Sequence, residues 1–166
     1  MQKATKASGN AYYTARIRAA EYDDRLHSRE SASQIVCIDR TRLANIELGN
    51  ISPHPEEVNL MACSYNAPDL MNYYCSSQCP LGCGKVDRLA PRNLESAAMK
   101  IGRLTRNIDE IAETISDIAE DGQITEKERP VFEKNIGRLL DLKKSIEELI
   151  LAAQESQAGR KSKEDS

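Results

Sequence analysis

Residues 35–50 read IVCIDRTRLANIELGN. Two apolar residues lead into a break at Cys37-Ile38, an aspartate stands where a cap belongs, and one short helical pattern closes on Gly-Asn. Aspartate is a good N-cap because its carboxylate accepts the unpaired amides of the first turn. Glycine takes the left-handed conformation beyond a helix end at least cost. The stretch therefore predicts a helix over 40–48 with Leu43 and Ile46 turned inward, and it leaves Arg40, Thr41, Arg42 and Asn45 outside.

The neighbouring segments repeat this scale. Upstream, SRESASQIV predicts a helix capped by Ser28, with Ala32, Ile35 and Val36 inward, and AYYTARIRAAEYDDRL predicts another over 11–26 through Tyr13, Ile17, Ala20 and Tyr22. Downstream of ISPHP, the segment EEVNLMACSYN puts Val58, Met61, Ala62 and Tyr65 on one side. Pro68 then opens PDLMNYYC, with Leu70, Tyr73 and Tyr74 as its apolar members. Five short helices over 11–75 make one domain. With one Phe, no Trp and mostly aliphatic apolar residues, the chain is expected to be all-α.

Residues 76–92, with prolines and glycines among cysteines, read as a linker. Beyond it Ile101, Leu104, Ile108, Ile111, Ile115 and Ile118 alternate at three and four residues, the apolar seam of one long helix. A second seam, Phe132, Ile136, Leu139, Leu142, Ile146 and Leu149, follows the turn EDGQIT, where Thr125 and Glu128 have capping-box spacing. Residues 93–155 are thus expected to form a long antiparallel helical hairpin, each arm about 40 Å long. Leu140, Ile150 and Leu151 fall outside the narrow seam. The simplest cover for them is a second copy, in a homodimer joined through residues 93–155. The first ten residues and residues 156–166 hold little to bury and are expected to fray.

The charge balance narrows the function. Residues 1–90 carry 10 Lys+Arg against 10 Asp+Glu, so a nucleic-acid contact must come from a few placed arginines rather than from bulk charge. No membrane-length apolar run and no secretory leader is present, so a cytoplasmic protein without a membrane partner is expected. No nucleophile elbow, phosphate-cradling loop or carboxylate pair suggests an enzyme.

Two helices separated by the Cys37-Ile38 turn have helix-turn-helix spacing, in which the second lies in the major groove. Arginine can donate two hydrogen bonds to guanine, asparagine can pair with adenine, and a threonine methyl can touch thymine. Arg40, Thr41, Arg42 and Asn45 are accordingly the candidate base contacts, and Ser28, Arg29, Asn50 and His54 the candidate phosphate contacts.

The run from Ser28 to Asn66 resembles the helix-turn-helix of the Cro and phage-repressor class, the XRE family, in Ser28, Ile38, Asp39, Leu43, Ile46, Glu47, Gly49 and Pro53. The resemblance covers roughly residues 14–75. It implies a five-helix, dimeric, sequence-specific DNA-binding regulator of a kind common in bacteria and phages, and a buried ion pair of Glu47 with Arg16 or Arg18. Where the family has a turn glycine this chain has Cys37, which is expected at positive φ.

Cys75, Cys79 and Cys83 form C-x3-C-x3-C. Thiolates so spaced can share zinc or an iron–sulfur cluster given a fourth ligand such as Cys63, but the spacing lacks the C-x2-C knuckle, and packed thiols without a cofactor are the favoured reading. Asp117–Glu128 matches a calcium loop in part, with Ala119 at a ligand position, and is read first as a hairpin turn. Two functions stay open: a homodimeric transcriptional regulator that binds double-stranded DNA at an inverted repeat, and a protein–protein interaction module of antirepressor or adaptor type.

Overall fold

The computed structural model describes residues 6–90 and 93–164, and among them every regular element is helical. The chain divides into two compact units, one centred on its first five helices and one formed by residues 90–153. No helix among the described residues is long and apolar enough to cross a membrane.

In the first unit, α1 (Ala11–Ala19) starts where the Asn10 side chain accepts the Tyr12 and Tyr13 amides. Ala7 is buried just before it, so the frayed end expected for the first ten residues does not extend over the described part. The helix does not run to residue 26. Two consecutive aspartates would compete with the backbone inside a helix, and Asp23 instead caps a separate 3₁₀ turn, Asp24–Leu26, by accepting the Arg25 amide. The inward line is Tyr12, Ala15 and Arg16 rather than Tyr13, Ile17 and Tyr22. Tyr22 is 66% exposed.

The helices α2 (Arg29–Val36) and α3 (Arg40–Glu47) are capped by Ser28 and Asp39 as expected. Between them Cys37 sits at φ 53°, the left-handed region, and Ile38 is buried. Gly49, at φ 74°, turns the chain beyond α3. Then α4 (Pro55–Ser64) begins on a proline whose fixed φ suits a first helical position, and α5 (Asp69–Ser77) follows. Val36, Leu43, Ile46, Val58, Met61, Tyr65 and Leu70 meet Tyr12 and Leu26 in one core. The Tyr12 ring packs edge-on against Tyr73 at 5.6 Å.

The segment after α5 folds back on it. A Cβ at Gly82 would stand 2.1 Å from the Cys75 carbonyl oxygen, so only glycine fits there. Asn72 donates to the Asp87 carbonyl at 2.9 Å and accepts the Leu89 amide at 3.0 Å, as a neighbouring strand would. Arg88 lies over the Tyr73 ring at 4.3 Å. Of the expected linker, residues 91–92 lie outside the described residues.

In the second unit the expected first arm is two helices, α6 (Leu94–Leu104) and α7 (Ile108–Ala119). Thr105 explains the break: its hydroxyl donates back to the Ile101 carbonyl, and Asn107 leaves helical dihedrals at φ −119°, ψ 28°. The apolar seam nevertheless survives, since Ile101, Leu104, Ile108, Ile111, Ile115 and Ile118 are all at least half-buried. Then α8 (Arg129–Glu164) runs on past the expected end of the arm through residues of good helix propensity, and residues 165–166 lie outside the described ones. Glu128 accepts from the Thr125 amide at 2.9 Å and from its hydroxyl at 2.5 Å.

On α8 five of the six expected seam residues, Phe132, Ile136, Leu139, Leu142 and Leu149, are half-buried. Asn135, Ser145 and Glu148 are the buried polar residues, whereas Ile146 is 42% exposed. Asn135, Ser145 and Glu148 each stand one residue before a seam position, Ile136, Ile146 or Leu149, a constant offset of about 100° of rotation. Glu148 accepts from Lys100 Nζ at 3.0 Å and from the Ala90 amide at 3.4 Å. Lys100 and Glu148 lie equally far in sequence on either side of Ile124, in the turn.

Candidate nucleic-acid interface

The rear of α3 is fixed by charge. Glu47 is fully buried and accepts from Arg16 Nε at 2.5 Å and Nη2 at 3.0 Å, and from Arg29 Nε at 2.6 Å. Arg16 Nη1 reaches on to the Leu26 carbonyl at 2.6 Å and the His27 carbonyl at 3.1 Å. One carboxylate thus ties α3 to α1 and to the start of α2. Of the two expected partners Arg16 is the one used, and Arg18 pairs with Asp69 instead at 3.1 Å. The nearby Tyr65 hydroxyl is buried, and desolvation pushes its pKa up, with the Glu47 charge adding to the shift.

The front of α3 presents Arg40 and Thr41, both exposed, with Asn45 half-exposed one turn on. Arg40 pairs with Glu30 at 3.0 Å, and both side chains are open to water, so this bond is weak and easily exchanged. Asn45 Oδ1 accepts from the Asn50 side chain at 3.1 Å, an arrangement that leaves the Asn45 amide nitrogen out of that bond.

Arg42 belongs to a different face. Successive residues turn by about 100°, so Arg40, Thr41 and Arg42 cannot share one line. Arg42 reaches α4, where Nε and Nη2 both bind the Glu57 carboxylate, the second at 2.8 Å. Glu57 also accepts the His54 amide at 2.7 Å. The hydrogen bond from Arg42 holds the Glu57 carboxyl below the usual range, outweighing desolvation. Of the four expected base contacts, then, Arg42 is taken up in a clamp between α3 and α4.

Ser28, Arg29 and Arg40 line one open cleft of about 380 Å³, together with Tyr13, Arg16, Ile17, His27 and the acidic Glu30. Ser28 Oγ lies 2.7 Å from Ser31 Oγ and accepts the Ser31 amide at 3.1 Å, as an N-cap does. Arg29 is only partly available, since its Nε is spent on Glu47. Asn50 and His54 are exposed and lie outside this cleft. Glu57 and Glu30, which hold two of the arginines, were not singled out from sequence. Glu57 carried a signal, three residues beyond the cap position of α4; Glu30, ten residues before Arg40, carried none.

The cysteines are free: Cys75 and Cys79 are half-buried, and Cys37, Cys63 and Cys83 are exposed. Cys75 lies within α5, and Cys79 and Cys83 lie in the segment beyond it. Among the described residues no three His, Cys, Asp or Glu side chains gather so as to hold a metal ion. No family model, curated protein or solved structure matches the chain.

Proposed function

We propose that the α1–α5 unit is a helix-turn-helix reader of double-stranded DNA of the XRE type, and that the protein is a transcriptional regulator acting as a homodimer on an inverted repeat. The observation that carries this is the two-sided construction of α3: Glu47 anchored behind by Arg16 and Arg29, and Arg40, Thr41 and Asn45 held out in front. An anchored helix presents its polar face at a fixed angle, which base-edge readout requires. Ser28 and the free nitrogens of Arg29, beside Arg40 in the cleft, would take the flanking phosphate. The clamp on Arg42 limits that residue to positioning.

The test is selection from a randomised duplex pool at two salt concentrations. A palindrome with half-sites about 34 Å apart is expected, with affinity falling steeply as salt rises. Asn45→Ala should relax preference at one position per half-site by about 1–3 kcal/mol. Arg42→Ala should weaken binding evenly across sequences. A base preference that moves with Arg42 and not with Asn45 would sink the assignment of the face.

A second reading has one observation in its favour. Leu48, on the same side of α3, and Ile51 just beyond it are exposed, which suits an apolar protein partner better than a phosphate backbone. In that case no duplex would be enriched, and partner affinity would change little with salt.

A further inference from the structure

The second unit leaves an apolar stripe uncovered. On α8 the large residues Leu140, Ile146 and Ile150 are 55%, 42% and 53% exposed, and Ile136 is half-buried beside them. On the matching line of α6 and α7 the exposed residues Ala98, Gly102, Ala112 and Ala119 are small, and Leu94, 44% exposed, opens the line one turn before Ala98. Each of the alanines directly follows a buried residue, Ala97, Ile111 or Ile118. Ile136 and Ile146 likewise follow buried Asn135 and Ser145.

That common offset has a geometric meaning. One residue is about 100° of rotation on a right-handed helix, and two antiparallel helices rotated in the same sense from their mutual contact open toward the same side of the layer. The two stripes therefore form one face, bulky along α8 and, beyond Leu94, flat along α6 and α7.

We propose that this face binds the same face of a second copy, with the bulky α8 stripe of each protomer seated on the small-residue stripe of its partner. Three things fit a copy of the chain. The face is self-complementary in shape, because a two-fold rotation sets large residues on small ones. Over its α7 part it is also complementary in charge, while α6 carries Lys100 and Arg103 against Glu95 and adds nothing to this. Helix α7 carries Asp109, Glu110, Glu113 and Asp117 with no cation, while residues 134–144 of α8 carry Lys134, Arg138, Lys143 and Lys144 against one acid, Asp141. Finally the size suffices: a layer about 30 Å long and two helices wide gives roughly 600 Å² per copy and ~1,200 Å² in total, the lower bound of a stable interface.

This inference gives the proposed dimer its contact face but rests on the helices of residues 90–153, not on DNA reading. The full-length protein should sediment at equilibrium, at micromolar concentration, with twice the 18.5 kDa mass of the chain. Leu140→Glu combined with Ile150→Glu should weaken self-association at least about 30-fold with helicity unchanged. Leu140→Gln, which adds no charge, is the second variant should the glutamates lower helicity, and it should weaken the dimer too. Leu81→Glu, at a residue of the first unit that is already 82% exposed, should leave the mass unchanged. A monomeric wild-type chain, or a Leu140/Ile150 variant that stays dimeric, overturns the inference. A monomer that still enriches a single half-site would do so while leaving DNA reading intact; a dimer that enriches no duplex would do the reverse.

Discussion

The two units bury different things. In the first, a continuous core of large aliphatic and aromatic residues is sealed, with Tyr22, Leu48 and Leu81 left outside it, and among the described residues the buried charge cluster is answered on the spot, Glu47 by Arg16 and Arg29. In the second, Asn135, Ser145 and Glu148 are buried while Leu140 and Ile150 stand more than half exposed. A unit that hides polar groups and shows its aliphatics has its apolar surface arranged for something outside itself. The first unit closes a large core around its ion-pair cluster; the second leaves a line of large aliphatics on α8 uncovered.

The strongest way to break this comparison is to remove the charge that closes the first unit. Glu47→Gln leaves Arg16 buried without its counter-ion, and breaking a buried pair from one side costs about 3–5 kcal/mol. All six tyrosines lie between residues 12 and 74, so tyrosine fluorescence reports the first unit alone, whereas circular dichroism reports all the helices. The urea midpoint seen by fluorescence should fall sharply, with the α6–α8 helicity persisting beyond it. A midpoint unchanged by Glu47→Gln would mean that the cluster contributes nothing to closure.

A smaller effect of opposite sign sharpens the same contrast. Cys37 holds the turn between α2 and α3 at φ 53°, where a side chain is disfavoured and glycine is not. Its thiol makes only a long contact of 3.7 Å with the Gln34 carbonyl. Cys37→Gly should therefore raise the fluorescence midpoint, by about 0.5–1 kcal/mol once the greater freedom of glycine in the unfolded chain is subtracted. A loss of stability instead would show that the thiol is a packing element.

The α3 region was the most legible in sequence because its signals are local. Asp39 caps four residues before Leu43 and Gly49 follows the last turn, while the αL conformation of Cys37 was expected from the resemblance, whose turn glycine it replaces. What was not legible depended on partners far along the chain. That Arg16 rather than Tyr13 faces inward is decided by Glu47, 31 residues away, and that Arg42 leaves the front of α3 is decided by Glu57. In the second unit the periodicity located the helices, yet the break at Thr105–Asn107 turned on one back-bonding hydroxyl. The burial of Asn135 and Ser145 ahead of Ile146 turned on a constant one-residue offset of the contact line, which the spacing of the apolar residues alone does not register.

The mildest perturbation is acid, and beyond Asp23, an exposed carboxylate whose pKa is lowered chiefly by the hydrogen bond from Arg25, each unit has one carboxylate held ionised by a local hydrogen bond. In the first it is Glu57, its pKa lowered chiefly by Arg42; in the second it is Glu128, lowered chiefly by the Thr125 hydroxyl. A carboxyl whose folded pKa is depressed contributes stability that is fully present above its ordinary value of 4.5 and is lost as pH falls through the lower folded value. Neither unit should therefore change on this account between pH 7 and pH 5. Below that, the Arg42–Glu57 clamp opens and the fluorescence midpoint should decline. Glu57→Gln should remove that part of the acid limb, because the glutamine has no charge to lose, and should leave the acid response of the α6–α8 helicity as it was. If the Glu57→Gln protein keeps the wild-type acid limb in fluorescence, the clamp is not what acid opens, and Arg42 is free to be tested again as a base contact.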